Sequence, residues 1–355
     1  MRGKKGIISA IGLILILLTL CSCGGVKEDT SSVLSVISQI VEPDEPEVSV
    51  VENETVYYQN PLTGLLTMES EQKTYNRPFA VMVNNIAVAQ SVQCGLNDAD
   101  IIYETEVEGG ITRLMAVYQD IESANQIGSV RSCRYAYIDL ALGHNAIYAH
   151  CGQDETYAKS HLKDINDIQV GTDGTGKRIS NGLNKEHTLY TFGTSLMTYA
   201  KKHFKTTQSS NNTWVNFSED DTNVLKNTAQ SVNVPFSNYY NSKFVYSDST
   251  GRYTRYNNGT LRKDYKTGKD VTVKNVFVLL TSITDYPDGY HRKVDLTSGK
   301  GYYFTNGTYC EITWSKGNAK NCFIFKNTDG TALTVTPGNS WVCIASKTKS
   351  VPTIK

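Results

Sequence analysis

Near residue 210 the spacing of apolar residues changes, and that change limits the fold more than any single motif does. From about 78 to 205, short strand-like runs alternate with helical spacing. Phe79-Ala80-Val81-Met82-Val83 is a buried-strand run, 111–119 alternates as a strand does, and 133–143 sets Tyr137, Leu140 and Ala141 on one helical side. Segments 145–150 and 189–192 read as further strands, and 156–163 and 196–203 as helices. Beyond 212 the pattern is mostly β, over 243–246, 252–257, 273–283, 301–305, 309–315, 322–326 and 340–346. Turn signals stand among these runs at Asn257-Asn258-Gly259, Asn306-Gly307, Asp329-Gly330 and Pro337-Gly338. The expected class is α+β: an N-terminal mixed α/β lobe over 61–210, then a mostly antiparallel β lobe over 211–355.

The first 60 residues lie outside this pattern. Arg2, Lys4 and Lys5 precede the uncharged run 7–20, which is too short to span a bilayer comfortably as a helix. The run ends in Leu20-Cys21-Ser22-Cys23-Gly24-Gly25, similar to a bacterial lipobox with a small residue before the cysteine. The similarity implies a signal peptide over 1–22 and a lipid anchor on Cys23 with more than one acyl chain, palmitate included, enough for stable attachment. Residues 23–60 are acidic, carry Pro43 and Pro46, and have no period long enough to bury a face, so they read as a disordered tether. The expected place is the extracytoplasmic face of the cell membrane.

Net charge narrows the partners. The chain holds 35 Lys+Arg against 35 Asp+Glu, and residues 61–355 keep a surplus of only four positive charges. A dedicated nucleic-acid binder needs a dense row of phosphate-neutralising side chains, so nucleic acid is not an expected partner.

The chemistry-bearing residues concentrate between 84 and 134. Tyr103-Glu104-Thr105-Glu106-Val107-Glu108 places an acid at every second position, which on a strand puts all three carboxylates on one face, about 6.5–7 Å apart. Such neighbours repel, and at least one pKa rises unless cations intervene. Gly109-Gly110 is a tight turn, after which Ile111-Thr112-Arg113 can fold back antiparallel and bring Arg113 across from one glutamate. Ser132 is a plausible helix N-cap, and Arg131 and Arg134 beside it would form an anion site with the helix amides. The alternative is that these arginines pair with Glu104 or Glu108 and hold the lobe together.

Several longer stretches carry a resemblance. They are Arg77 to Asn85, Gly95-Leu96, Ala99 to Glu104, Glu108-Gly109-Gly110-Ile111-Thr112-Arg113, Ile127 to Arg134 and His187-Thr188-Leu189-Tyr190-Thr191. Asn275-Val276-Phe277-Val278, Ile312 to Lys316 and Pro337 to Val342 continue it. Over about 75–355 the chain resembles the YerB-like lipoproteins of Gram-positive bacteria, whose domains have no established function. It departs from them at Ser129, where proline is usual, at Cys133, where alanine is usual, and near Asn258, where a histidine is missing.

Six cysteines follow the tail: Cys94, Cys133, Cys151, Cys310, Cys322 and Cys343, with Cys310 and Cys322 flanking a hairpin and so able to pair. No spacing suggests a metal, and no cofactor is implied. His150-Cys151 is not a catalytic pair, because adjacent strand residues point to opposite faces. His150 and His187 are expected to be hydrogen-bonded structural groups, with acid–base or ligand roles as the alternative. Candidate catalytic residues are therefore Glu104, Glu106 and Glu108. Candidate binding residues are Asn84, Asn85, Arg113, Arg131, Arg134, His150 and His187. The expected function is binding of a cell-envelope ligand, an anionic glycan or a protein partner, through this Glu/Arg cleft. The alternative is a carbohydrate-active enzyme acting on the peptidoglycan wall, of glycosidase or lytic transglycosylase type, with one glutamate as general acid or base.

Overall fold

Ile101–Glu106 and Thr112–Tyr118 form the hairpin from which the structure is built. They pair antiparallel with Glu104 opposite Leu114 and Thr105 opposite Arg113. The turn between them needs Gly109 and Gly110, whose φ angles of 71° and 69° are left-handed. On one side Thr112–Tyr118 pairs antiparallel with Phe79–Val83, followed in parallel by Ile147–His150 and then Asp167–Gln169. On the other side Ile101–Glu106 pairs in parallel with Ser340–Ser346, which pairs in parallel with Asn275–Thr281. The antiparallel strands Ser298–Thr305, Thr308–Ser315 and Ile324–Asn327 extend that side, and the short Asn227–Thr228 closes an eleven-stranded sheet. Strands from both sides of residue 210 therefore join in one sheet, meeting where Ser340–Ser346 pairs with Ile101–Glu106.

The computed structural model describes residues 57–68, 75–210 and 213–355, which belong to one compact unit. The expected signal peptide, Cys23 and most of the tether lie outside the described residues. Tyr58–Gln59 already pairs with Leu66–Thr67, so the last residues assigned to the tether belong to the fold.

Alternation along the strands gives the sheet two buried faces. One buries Ala80, Met82, Ile101, Tyr103, Met115, Phe277 and Ile344 under the helix Tyr135–Gly143. The other buries Phe79, Val81, Ile102, Leu114, Ala116, Val276 and Trp341 against a six-stranded antiparallel sheet that includes Ser231–Pro235, Asn241–Ser247 and Arg252–Asn257. The helix Gly193–His203 adds Leu196, Met197 and Ala200 to this second core.

The α+β class holds, but strands dominate. Two expected helices change. The segment 156–163 is a short 3₁₀ turn, Lys159–Asp164, after Asp154 Oδ1 accepts the amides of Thr156 and Tyr157. The helix expected from Cys133 begins at Tyr135, because the Cys133 amide donates to Gly152 O at 3.0 Å and the Arg131 amide to Met82 O at 3.1 Å. Ser132 is accordingly not the cap; Arg134 is, with extended backbone and no side-chain capping bond. All six described cysteines are free, so Cys310 and Cys322 do not pair. The Cys322 thiol instead donates to Gly143 O. No helix of the described residues is long and apolar enough to cross a membrane.

Candidate functional site

Glu104 is set apart from Glu106 and Glu108, which line one small pocket but pair with different arginines, and this corrects the expectation of one acidic face. The strand ends at Glu106, and Glu108 lies in the turn that follows.

Glu104 is fully buried between the two sheets. Its Oε1 accepts from Thr112 Oγ1 at 2.7 Å and Asn85 Nδ2 at 3.1 Å, and its Oε2 accepts from Trp341 Nε1 at 3.0 Å. Ser242 Oγ reaches both oxygens, and Arg255 Nη2 stands 3.6 Å from Oε1. The Arg255 guanidinium lies 4.4 Å from the Trp341 ring centroid, a cation–π contact in a desolvated place. Burial pulls the Arg255 pKa down, against the opposing pull of Glu104. Asn85 belongs to this interior too: its Oδ1 accepts from Gln93 Nε2 at 2.9 Å. The network is satisfied around the carboxylate and sealed from solvent, so Glu104 holds the sheets together.

Glu106 meets Arg292 Nη2 at 2.9 Å. Burial raises its pKa, opposed by Arg292 and Lys349. Glu108 is gripped on both oxygens by Arg134, with Nε to Oε2 at 2.8 Å, and Arg113 Nη2 stands 3.8 Å away. Burial pushes the Glu108 pKa up, but the Arg134 hydrogen bonds and the charges of Arg134 and Arg113 outweigh it and hold it at about 2. Arg113 thus lies across from Thr105 and reaches its glutamate from the turn.

This pair carries a pH signature. A carboxyl held below its unfolded value stabilises the fold above pH ~4.5 and loses that contribution as pH falls through about 2. Glu108→Gln is expected to cost about 2 kcal/mol at pH 7, from the lost charge-assisted hydrogen bonds. The gap between parent and variant melting curves should narrow steadily from pH 4.5 to 2. A gap independent of pH would contradict the assignment.

Arg131 lies apart from Arg134. The segment from Val130 to Cys133 slots between the carboxyl ends of Phe79–Val83 and Ile147–His150, bonding Met82 O on one side and Gly152 O on the other. Arg131 Nη2 pairs with Glu186 Oε2 at 2.7 Å, and their side chains are 26% and 54% exposed. Next to it, Asn84 Nδ2 bonds His187 Nδ1 at 3.0 Å while Asn84 Oδ1 takes the Ile86 amide. That orients the amide and makes Nδ1 the acceptor, leaving His187 Nε2 to carry the proton, 3.6 Å from Glu186 Oε1. Arg131 therefore reaches the surface at this rim, with Asn84 and His187 buried just behind it, while Asn85 points inward. His150 is fully buried, with Nδ1 on Gly152 O at 2.8 Å and Nε2 at 3.2 Å from Asp167 Oδ2, away from the surface that Arg131 reaches.

Burial raises the Cys133 thiol to about 12, which leaves no thiolate for chemistry. Among the described residues no group of His, Cys, Asp or Glu could hold a metal ion. Sequence reasoning missed Arg255, Ser242 and Trp341. The available signal was the inward set Tyr253, Arg255 and Asn257, which places a cation among buried strand positions.

Fold and site together define a class of α+β proteins in which two sequence blocks share one large sheet. Residues 62–207 match the family described as "Protein of unknown function (DUF3048) N-terminal domain", and 232–342 match its C-terminal domain. The chain belongs to the YerB-like family. It is 32% identical over 292 residues to a Bacillus subtilis (strain 168) protein named "Putative lipoprotein YerB", covering 80% of this chain and 85% of that one. The crystal structure of YerB from Bacillus subtilis matches with a TM-score of 0.71 at 29% identity, over 83% of this chain and 99% of that one.

Proposed function

We propose that this chain is a lipoprotein, anchored through Cys23 on the extracytoplasmic face of the membrane, that binds an anionic group of a cell-envelope ligand at the rim of Asn84, Arg131 and His187. The ligand is a wall glycan or an envelope protein. One observation carries the reading: Arg131 is held by a carboxylate that is itself more than half exposed. Such a surface pair is worth only about 0–1 kcal/mol, so a ligand carboxylate or phosphate can take the place of Glu186 at little cost. Arg113 and Arg134 are committed to Glu108 in a much drier setting. The rim also lies at the carboxyl ends of parallel strands, where open α/β sheets commonly bind ligands. The lipoprotein name of the Bacillus relative supports the anchor.

Binding is favoured over catalysis by the state of the carboxylates. A glycosidase needs one protonated and one free carboxyl group facing the same space, about 5–10 Å apart. Glu104 is sealed; Glu106 and Glu108 share a pocket of only about 20 Å³, too small for a sugar ring, where Glu106 rests on Arg292 and Glu108, held by Arg134 at about 2, has no proton to give near neutral pH.

The test is pelleting of the full chain with purified cell walls, with mass spectrometry of whatever is released. Arg131→Ala is expected to lower bound protein about tenfold, the loss of one charge-assisted contact, with no new fragments from either protein. Equal pelleting of parent and variant would remove the rim from consideration. Fragments that disappear in Glu106→Gln would replace binding by catalysis.

A further inference from the structure

We infer that the pocket at the amino ends of the parallel strands is a second binding site, for a phosphate group carried on a polyol or sugar. It lies at the opposite end of these strands from Arg131 and stands independently of the reading above.

Arg77 forms its floor, just before Phe79–Val83, and is only 8% exposed. Its Nε donates to Asn145 O at 2.9 Å, Nη1 to Asn166 Oδ1 at 2.7 Å and Lys205 O at 3.0 Å, and Nη2 to Ala146 O at 3.3 Å. Every acceptor is neutral, and no carboxylate among the described residues pairs with this guanidinium. Buried charges are ordinarily paired with an opposite charge, and the floor of the pocket has none among the described residues.

The walls add to the imbalance. A cavity of about 630 Å³ opens here, lined by Lys163, Lys205 and Lys320. None of the three has a carboxylate partner among the described residues. The carboxylate in the lining, Asp164, stands 3.8 Å from His161. The rest of the lining is largely amide and hydroxyl, including Asn145, Gln208 and Ser209. Cavities of roughly 300–1,000 Å³ suit small ligands, and this lining asks for one that is both anionic and hydroxylated.

Its geometry separates phosphate from carboxylate. A planar carboxylate is best gripped by the two-pronged face of a guanidinium, but four of the five Arg77 N–H donors are taken up by Asn145, Ala146, Asn166 and Lys205, so no pair of them is left for it. What remains is a set of lysine ammonium groups, point charges that suit a tetrahedral anion approached from several sides.

The experiment is isothermal titration of the full chain, in detergent, with four probes: a soluble oligomer of glycerol phosphodiesters, glycerol 3-phosphate, inorganic phosphate and an oligomer of galacturonate. The expected result is binding of the oligomeric or the monomeric glycerol phosphate, and which of them binds more tightly identifies a polymer or a free metabolite as the source. Combining Lys163→Gln, Lys205→Gln and Lys320→Gln should weaken it at least tenfold and flatten its dependence on salt. These side chains are exposed, and an unchanged melting curve checks that the variant is folded. Arg131→Ala should bind as the parent does. The proposal is overturned by absence of binding at millimolar glycerol phosphates or by a triple variant as tight as the parent. Inorganic phosphate or galacturonate binding as tightly as the glycerol phosphates would overturn it too.

Discussion

Glu104→Gln is expected to destabilise the protein by about 3–5 kcal/mol, the usual cost of breaking a buried ion pair from one side. The carboxylate accepts hydrogen bonds from Thr112, Asn85, Ser242 and Trp341 while facing Arg255. A glutamine turns one acceptor into an NH2 group, which must face donors, and leaves the Arg255 charge buried without its counter-ion. Urea unfolding followed by tryptophan fluorescence measures the loss. Adding Arg255→Met should recover part of it, because the stranded charge goes too. A loss below about 1 kcal/mol, or no coupling between the two positions, would mean that the network does not hold the sheets.

The second large effect concerns the two sequence blocks. Residues 57–210 and 213–355 expressed separately are each expected to lack a cooperative unfolding transition, and co-expression should restore one. The first fragment would expose the edge of Ile101–Glu106 along with a Glu104 that has lost Ser242, Arg255 and Trp341. The second would leave Ser340–Ser346 with a single neighbour and uncover the inner face of the smaller sheet. A cooperative thermal transition in either fragment alone would show that its part of the sheet is self-sufficient.

What could be read from the sequence was local. The hairpin 101–118 was legible because period-two spacing meets a Gly-Gly turn, and Ser340–Ser346 and Arg252–Asn257 appear with the bounds expected of them. What could not be read was set by partners far along the chain. The helix start moved because Gly152 claims the Cys133 amide. The pairing of Arg134 with Glu108 was one of the alternatives the sequence offered, but three acids at alternate positions gave no hint that Trp341 and Arg255 would take Glu104 or that Arg292 would take Glu106. The parallel pairing of 340–346 with 101–106 has no connecting turn to announce it, so the shared sheet was invisible. The basic pocket escaped for a similar reason: Lys163, Lys205 and Lys320 are far apart in sequence and meet only in the fold.

The position of Ser340–Ser346 also bears on when the chain can fold. This late strand sits in the middle of the large sheet, and the Thr105 hydroxyl bonds Ile344 O across 239 residues. During synthesis from the amino end, Ile101–Glu106 and Asn275–Thr281 have to wait with open edges, the kind of surface on which chains aggregate. Closing both with one late strand makes the fold slow by contact order. An interrupted chain, even one missing only its last 16 residues, would be left as two half-sheets with adhesive rims.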